Sequence, residues 1–147
     1  MLEFIRRYHF AAAHRLHNPA LSDEENRELY MACNNPNGHG HNYVIEFSIS
    51  GTPDPVTNML IDMVALDTLV QTHIIDVVDH KHLDLDVAWF ADTRSTAENI
   101  AMIFYNQLAP LLPANAHLVQ VIVWEGENNA AAYRPNTPTL PLAASLA

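Results

Sequence analysis

Residues 41–50 alternate strictly: Tyr43, Ile45, Phe47 and Ile49 fall on one side, Val44, Glu46 and Ser48 on the other. Only an extended strand with one buried face sorts side chains in this way, so the chain must build a sheet and cover one side of it. Helical periodicity supplies the cover. Apolar residues recur at Met63, Leu66, Val70, Ile74 and Val77, which predicts a helix with a single buried face and places His73 on it as a hydrogen-bonded core histidine. A second helix is expected from Ser95-Thr-Ala-Glu98, which has the form of a capping box, through Ile100, Ile103, Phe104 and Leu108 to Pro110 and Pro113. Further strands are expected over residues 2–13, 118–124 and 130–134, with a short one at 59–62. Two long connections remain: 17–40, holding a short helix capped by Ser22 with Glu25, and 79–94, carrying Asp79 and His80. The order reads as α+β, an antiparallel four-stranded sheet with two helices on one face.

A chain of 147 residues has material for one core. The expected domain is 1–134, followed by an uncharged Pro-rich tail over 135–147. Seventeen acids against seven bases give a net charge of −10, and Lys81 is the only lysine. That balance offers no footprint for a nucleic-acid backbone or an anionic membrane, and no apolar run is long enough to span a bilayer. The amino terminus reads as a strand and not as a signal peptide, and Cys33, the one cysteine, cannot form an intramolecular disulfide. A cytoplasmic protein is expected. With so few lysines to protect the free face and edges of the sheet, self-association is expected too.

Nine histidines are the odd feature. His39 and His41 flank Gly40 at the head of the alternating strand, on one side of it and roughly 6.6–7 Å apart by the strand rise. Two imidazoles at that separation can converge on one ion, and His14 at the end of the first strand is a third donor. Three neutral imidazoles suit Zn2+ and leave a coordination position open for chemistry. Cys33 can close the set as a fourth, structural ligand, or can be a buried inert thiol; spacing does not decide. Asp79-His80 offers an imidazole backed by a carboxylate, fit for proton transfer, or a solvated loop histidine. Glu125, after the strand Val-Ile-Val-Trp, can take a cyclic amidine or guanidine-like edge by two parallel hydrogen bonds, or simply end the strand. The helix cap accounts for Thr96 and Glu98. His9, His17, His73, His82 and His117 are given no role.

Assembled in order, these residues resemble the 6-pyruvoyl-tetrahydropterin synthase family, which includes the 6-carboxy-tetrahydropterin synthases. The blocks that carry the resemblance are Phe10-Ala-Ala-Ala-His-Arg-Leu16, Cys33-Asn-Asn-Pro-Asn-Gly-His-Gly-His-Asn-Tyr43, Asp79-His-Lys-His-Leu-Asp-Leu-Asp86, Ser95-Thr-Ala-Glu-Asn99, and Glu125 with Asn128 and Asn129. The five residues between Cys33 and His39 are similar to the pyruvoyl-forming subgroup. The resemblance implies a tunnelling fold (T-fold), in which the sheets of three subunits join into a barrel and two trimers stack into a homohexamer. It implies a zinc-dependent lyase that converts 7,8-dihydroneopterin triphosphate to 6-pyruvoyl-5,6,7,8-tetrahydropterin with release of triphosphate, in tetrahydrobiopterin synthesis. It also implies roles: His14, His39 and His41 as zinc ligands, and Cys33 as the proton-abstracting thiolate. Asp79 and His80 become relay partners supplied by a neighbouring chain, and Glu125 with Thr96 the substrate-binding positions.

Departures are Gly126, where the family has a threonine, and Asn58, where it has a glycine. The competing readings are a 6-carboxy-tetrahydropterin synthase acting on the same substrate in queuosine synthesis, and a non-catalytic zinc-binding assembly protein. A polyanionic substrate on a chain of this charge requires local cations, for which Lys81, Arg15 and Arg94 are available.

Overall fold

The computed structural model describes residues 2–136. Its centre is the antiparallel pair of β1 (Glu3–His14) and β2 (His39–Gly51), flanked by β4 (Ala116–Trp124) and β5 (Ala130–Tyr133) on one side and the two-residue β3 (Lys81–His82) on the other. The sheet order is β3-β1-β2-β4-β5, with β3 parallel to β1 and every other pairing antiparallel. The expected sheet is therefore present, with one short edge strand added. The expected strand over 59–62 is absent. Leu60 and Ile61 are buried there without ladder pairing, and Asp62 ends the segment by accepting the backbone N–H groups of Val64 and Ala65 as the cap of a helix.

The alternation of β2 is realised as burial. Tyr43, Ile45, Phe47 and Ile49 are fully enclosed between the sheet and a layer formed by α2 (Met63–Val70) and α5 (Ala97–Leu108). Phe10 of β1 stacks on Tyr43 with ring centroids 4.6 Å apart and meets the edge of Phe104. A bulge opposite Ser48 and Ile49 inserts Val119 into β4, which lets both Leu118 and Val121 face the core. Among the described residues no layer covers the opposite face of the sheet, which carries Ile5, Arg7, His9 and Asn42; Ile5 is 57% exposed.

Helix periodicity holds through Leu66 and Val70 and then slips. Residues Gln71–Ile75 form a π turn, which adds a residue to the repeat before the short α3 (Asp76–Val78). Ile74 and Ile75 are both buried, the next core position is Val78 and not Val77, and His73 is exposed. His73 is thus not a core histidine, and Met63, at the first helical turn, is also exposed. The capping box in the first connection forms as expected: Ser22 accepts the Glu25 N–H and Glu25 accepts that of Ser22 at the start of α1 (Asp23–Tyr30). The box expected at Ser95 and Glu98 does not form. Thr96 caps α5 by accepting the Asn99 N–H, because the Ser95 hydroxyl is engaged elsewhere. In the second connection, α4 (Leu83–Asp86) and a 3-10 turn at Ala88–Phe90 replace irregular loop. Of the tail over 135–147, residues 137–147 lie outside the described residues.

At the far end of β2, a Cβ on Gly51 would lie 2.1 Å from the carbonyl oxygen of Asn115, whereas one on Gly126 would meet nothing within 4 Å. Gly51→Ala is expected to cost about 1–3 kcal/mol by forcing apart the end of the β2–β4 ladder, where Gly51 pairs with Ala116. Gly126→Ala should stay within about 0.5 kcal/mol of the parent. Chemical denaturation of both variants checks the contrast.

Candidate metal centre and active site

Antiparallel register decides where the histidines go. His14 pairs with His39 and Ala12 with His41, so all three imidazoles stand on the core-facing side of β1 and β2 at one end of the sheet. Their ligand nitrogens lie within 4.8 Å of one another. The Nε2 atoms of His14 and His39 are 3.1 Å apart, close to the roughly 3.3 Å that separates two donors on a tetrahedral ion with 2.0–2.1 Å bonds.

Each ring is prepared for this role. His14 is fully buried, and its Nδ1–H donates to the Ser95 carbonyl at 2.8 Å, which leaves the Nε2 lone pair aimed into the cluster. The Nε2 of His41 and the Nδ1 of His39 are buried with no hydrogen-bond partner among the described residues. Burial, and then the other histidines, hold the His39 imidazole below its ordinary value. Burial does the same for His41 against the opposing pull of Glu125. Neutral rings are what metal ligation needs. One carboxylate oxygen of Glu125 lies 3.3 Å from His14 Nε2 and 3.6 Å from His41 Nε2. Lone pairs from neutral imidazoles and a carboxylate directed at one region repel unless a cation lies between them. The residues therefore fit a divalent metal ion.

Glu125 follows β4 and is fixed by its own loop. Its N–H donates to the Asn129 carbonyl, the Asn129 amide donates to Oε2 at 3.2 Å, and the Tyr43 hydroxyl reaches Oε1 at 3.5 Å. Desolvation and this carboxylate push the Tyr43 phenol far up, so it remains a proton donor. Cys33 sits half-buried in the 3-10 turn Met31–Asn34, held through its carbonyl by the Leu16 N–H. Among the described residues the donor set is three histidines, and Cys33 lies outside it. Burial first, then Glu125, pushes the thiol up. Only a cation close by can reverse that sign.

Asp79 and His80 lie at the β3 edge. His80 Nδ1 is 2.8 Å from Asp79 Oδ2, and the His80 side chain is 82% exposed. Ala11 of β1 fixes the pair: its N–H donates to Asp79 Oδ1 at 2.9 Å and its carbonyl accepts the His80 N–H. The Ala11 N–H, with His80 adding to it, holds the Asp79 carboxyl below its usual range. Among the described residues, no hydrogen bond or ion pair joins this pair to the histidine cluster or Cys33 of its own chain. Thr96, as the cap of α5, has its hydroxyl turned to the helix.

Three contributors are not singled out by the sequence reading. Ser95 holds His14 through its carbonyl and donates its hydroxyl to Asp84 at 2.7 Å; Asp84 also accepts the Arg15 N–H; Tyr43 borders Glu125. Ser95 is hidden by its resemblance to a cap, and Asp84 by its acidic neighbours. Gly38, with φ of +74°, makes the turn into His39, where a Cβ would press within 2.8 Å of His82.

Comparison with known proteins agrees with this architecture. The family model of 6-pyruvoyl tetrahydropterin synthase matches residues 3–136. The 6-pyruvoyl tetrahydrobiopterin synthase of Homo sapiens is 44% identical over 129 residues, covering 88% of each protein. That of Poecilia reticulata is 45% identical over 125 residues, 85% of this chain and 84% of the relative. The solved structure of a Caenorhabditis elegans 6-pyruvoyl tetrahydropterin synthase superposes with a TM-score of 0.86 at 38% identity, over 92% of this chain and 96% of that one.

The lowered histidines give a pH dependence with a definite sign. Their folded values lie below 6.5, so the metal-free fold binds fewer protons than the unfolded chain there. Stability of metal-stripped protein should decline as pH falls below about 6.5 and stop declining once it passes under the folded values. Denaturant titrations at a series of pH values check this, and His39→Ala should flatten the decline.

Proposed function

The chain belongs to the 6-pyruvoyl tetrahydropterin synthase family, and we propose that it is a zinc-dependent lyase. In this reading it converts 7,8-dihydroneopterin triphosphate to 6-pyruvoyl-5,6,7,8-tetrahydropterin and inorganic triphosphate, a cytoplasmic step of tetrahydrobiopterin synthesis. The observation that carries the reading is the convergence of His14, His39 and His41 with Cys33 left outside the ligand set. Three imidazoles leave a coordination position for substrate, and a thiol outside the ligand set is available as a base. Bound Zn2+ supplies Lewis acidity toward the side-chain hydroxyls of the substrate and draws the thiol toward thiolate.

Roles follow from chemistry. Cys33 removes a carbon-bound proton from the acidified side chain. Glu125, fixed by Asn129, accepts the guanidine-like edge of the pterin ring and orients it. Thr96 stands at the same end as a further substrate contact, its backbone set by the start of α5. His80, its imidazole held by Asp79, delivers and retrieves protons as the double bond migrates and triphosphate leaves. Asp79 is suited to steady a His80 imidazolium because it stays ionised well into acid.

The working form is a homohexamer, two stacked trimers whose sheets close into barrels, in which Asp79 and His80 serve a neighbouring chain's site. Two features support this: the sheet face that no described residue covers, and the 82% exposure of the His80 side chain, which no hydrogen bond or ion pair among the described residues joins to its own chain's histidine cluster. The catalytic domain is residues 1–134.

Cys33→Ala is expected to lower turnover of dihydroneopterin triphosphate by at least about 1000-fold with bound zinc unchanged. Product mass and metal analysis check it; loss of zinc with the thiol would instead make Cys33 a structural ligand, and acetaldehyde among the products would make the reaction 6-carboxy-tetrahydropterin synthesis. Inactive Cys33→Ala and His80→Ala proteins, dissociated and reassembled together, should regain part of the parent activity. No rescue would place each site within one chain.

A further inference from the structure

A substrate carrying three phosphates must find cations on a chain of charge −10. Carboxylates pair with two of the seven bases among the described residues. Arg6 grips Asp67 by two hydrogen bonds and Arg7 is paired with Glu46; Arg134, on Gln120, and Lys81, on the Asp76 carbonyl, keep their charge but do not line the cavity described next. Arg27 stands exposed on α1. Arg15 and Arg94 differ. Both line a single cavity of about 510 Å3, together with His17 and His82, and among the described residues neither guanidinium is in a salt bridge.

Each is held by neutral groups that leave its charge available. Among the described residues, Arg94 donates through Nη2 to the Asn18 side chain, the Asn18 backbone is held at its N–H and its carbonyl by the buried Asn26, and the Arg94 Nε is buried with no acceptor. Among the described residues the Arg15 guanidinium donates only through Nε, to the carbonyl of Asn34. The Asn34 amide also donates to His17 Nδ1, so His17 carries its proton on Nε2 as a further donor. Asp84 lines the cavity too, but its two oxygens are occupied by the Ser95 hydroxyl and the Arg15 N–H. Asp92 is exposed.

Position matters as much as charge. Arg15 directly follows His14, Arg94 directly precedes the Ser95 that holds His14, and Asn34 directly follows Cys33. The cavity thus borders the site on the side where both the ligand histidine and the thiol are anchored. Unpaired guanidinium forks are the preferred partners of phosphate oxygens. We propose that this cavity is the subsite for the triphosphate chain, before and after it leaves the substrate, and that Arg94 and Arg15 are the residues that bind it. The assignment rests on the function proposed above.

The test compares Arg94→Gln and Arg15→Gln with the parent holoenzyme and with Arg27→Gln, after zinc content and melting temperature establish that each variant is folded. Removal of a charged donor from a phosphate should raise KM for dihydroneopterin triphosphate, and the inhibition constant for inorganic triphosphate, by roughly ten- to hundred-fold. Binding of dihydroneopterin without phosphates should be unchanged, and Arg27→Gln should match the parent throughout. Unaltered KM and inhibition constant in a folded Arg94→Gln variant would overturn the assignment while leaving the lyase reading intact. Should the parent not turn over this substrate, the lyase reading fails instead. Calorimetry with inorganic triphosphate then judges the cavity alone: weaker binding to Arg94→Gln supports it, and equal binding overturns it.

Discussion

The pairing register of β1 with β2 is the constraint on which the site depends. Side chains in a strand alternate with period two, so a slip of one residue would carry His39 and His41 to the uncovered face while His14 stayed on the covered one. What holds the register is the core itself: Phe10 stacked on Tyr43, then Ile45, Phe47 and Ile49 in sequence beneath the helices. The histidines continue the same row of positions beyond the last aromatic pair. Core and metal centre are one array of inward-facing side chains, apolar along the strand and imidazole at its end.

Much of this architecture is legible in local pattern. Alternation gives β2, an acceptor followed three residues later by a carboxylate gives α1, and His39-Gly40-His41 on a strand gives two converging ligands. What escapes is whatever long-range structure settles. The π turn at Gln71–Ile75 changes the helical repeat at a place where composition signals nothing, so the buried position moves from Val77 to Val78 and His73 turns outward. Ser95 has the local grammar of a helix cap, yet its hydroxyl is drawn to Asp84 and its carbonyl to His14, 81 residues away. In a chain with seventeen acids, nothing in the neighbourhood of Asp84 marks it as the one that braces the site.

Net charge and local charge also separate cleanly here. The acidic excess sets a repulsive far field for anions, but field strength inside a cleft depends on which charges are paired within a few ångströms. Arg6 and Arg7 are neutralised by carboxylates and stiffen the sheet and its helix contact; Arg15 and Arg94 are held by amides and carbonyls, which fix position without cancelling charge. An arginine anchored by neutral acceptors is a positioned cation, and the difference is invisible to any count of bases.

Ala11 is clasped on both of its backbone polar groups by the adjoining Asp79 and His80. Since His80 adopts φ of +58° there, the segment cannot swing without breaking both contacts. Three residues further along the same strand comes His14. The proton-handling pair and the innermost imidazole are therefore mounted on one stiff rod, at a spacing that thermal motion of loops does not change.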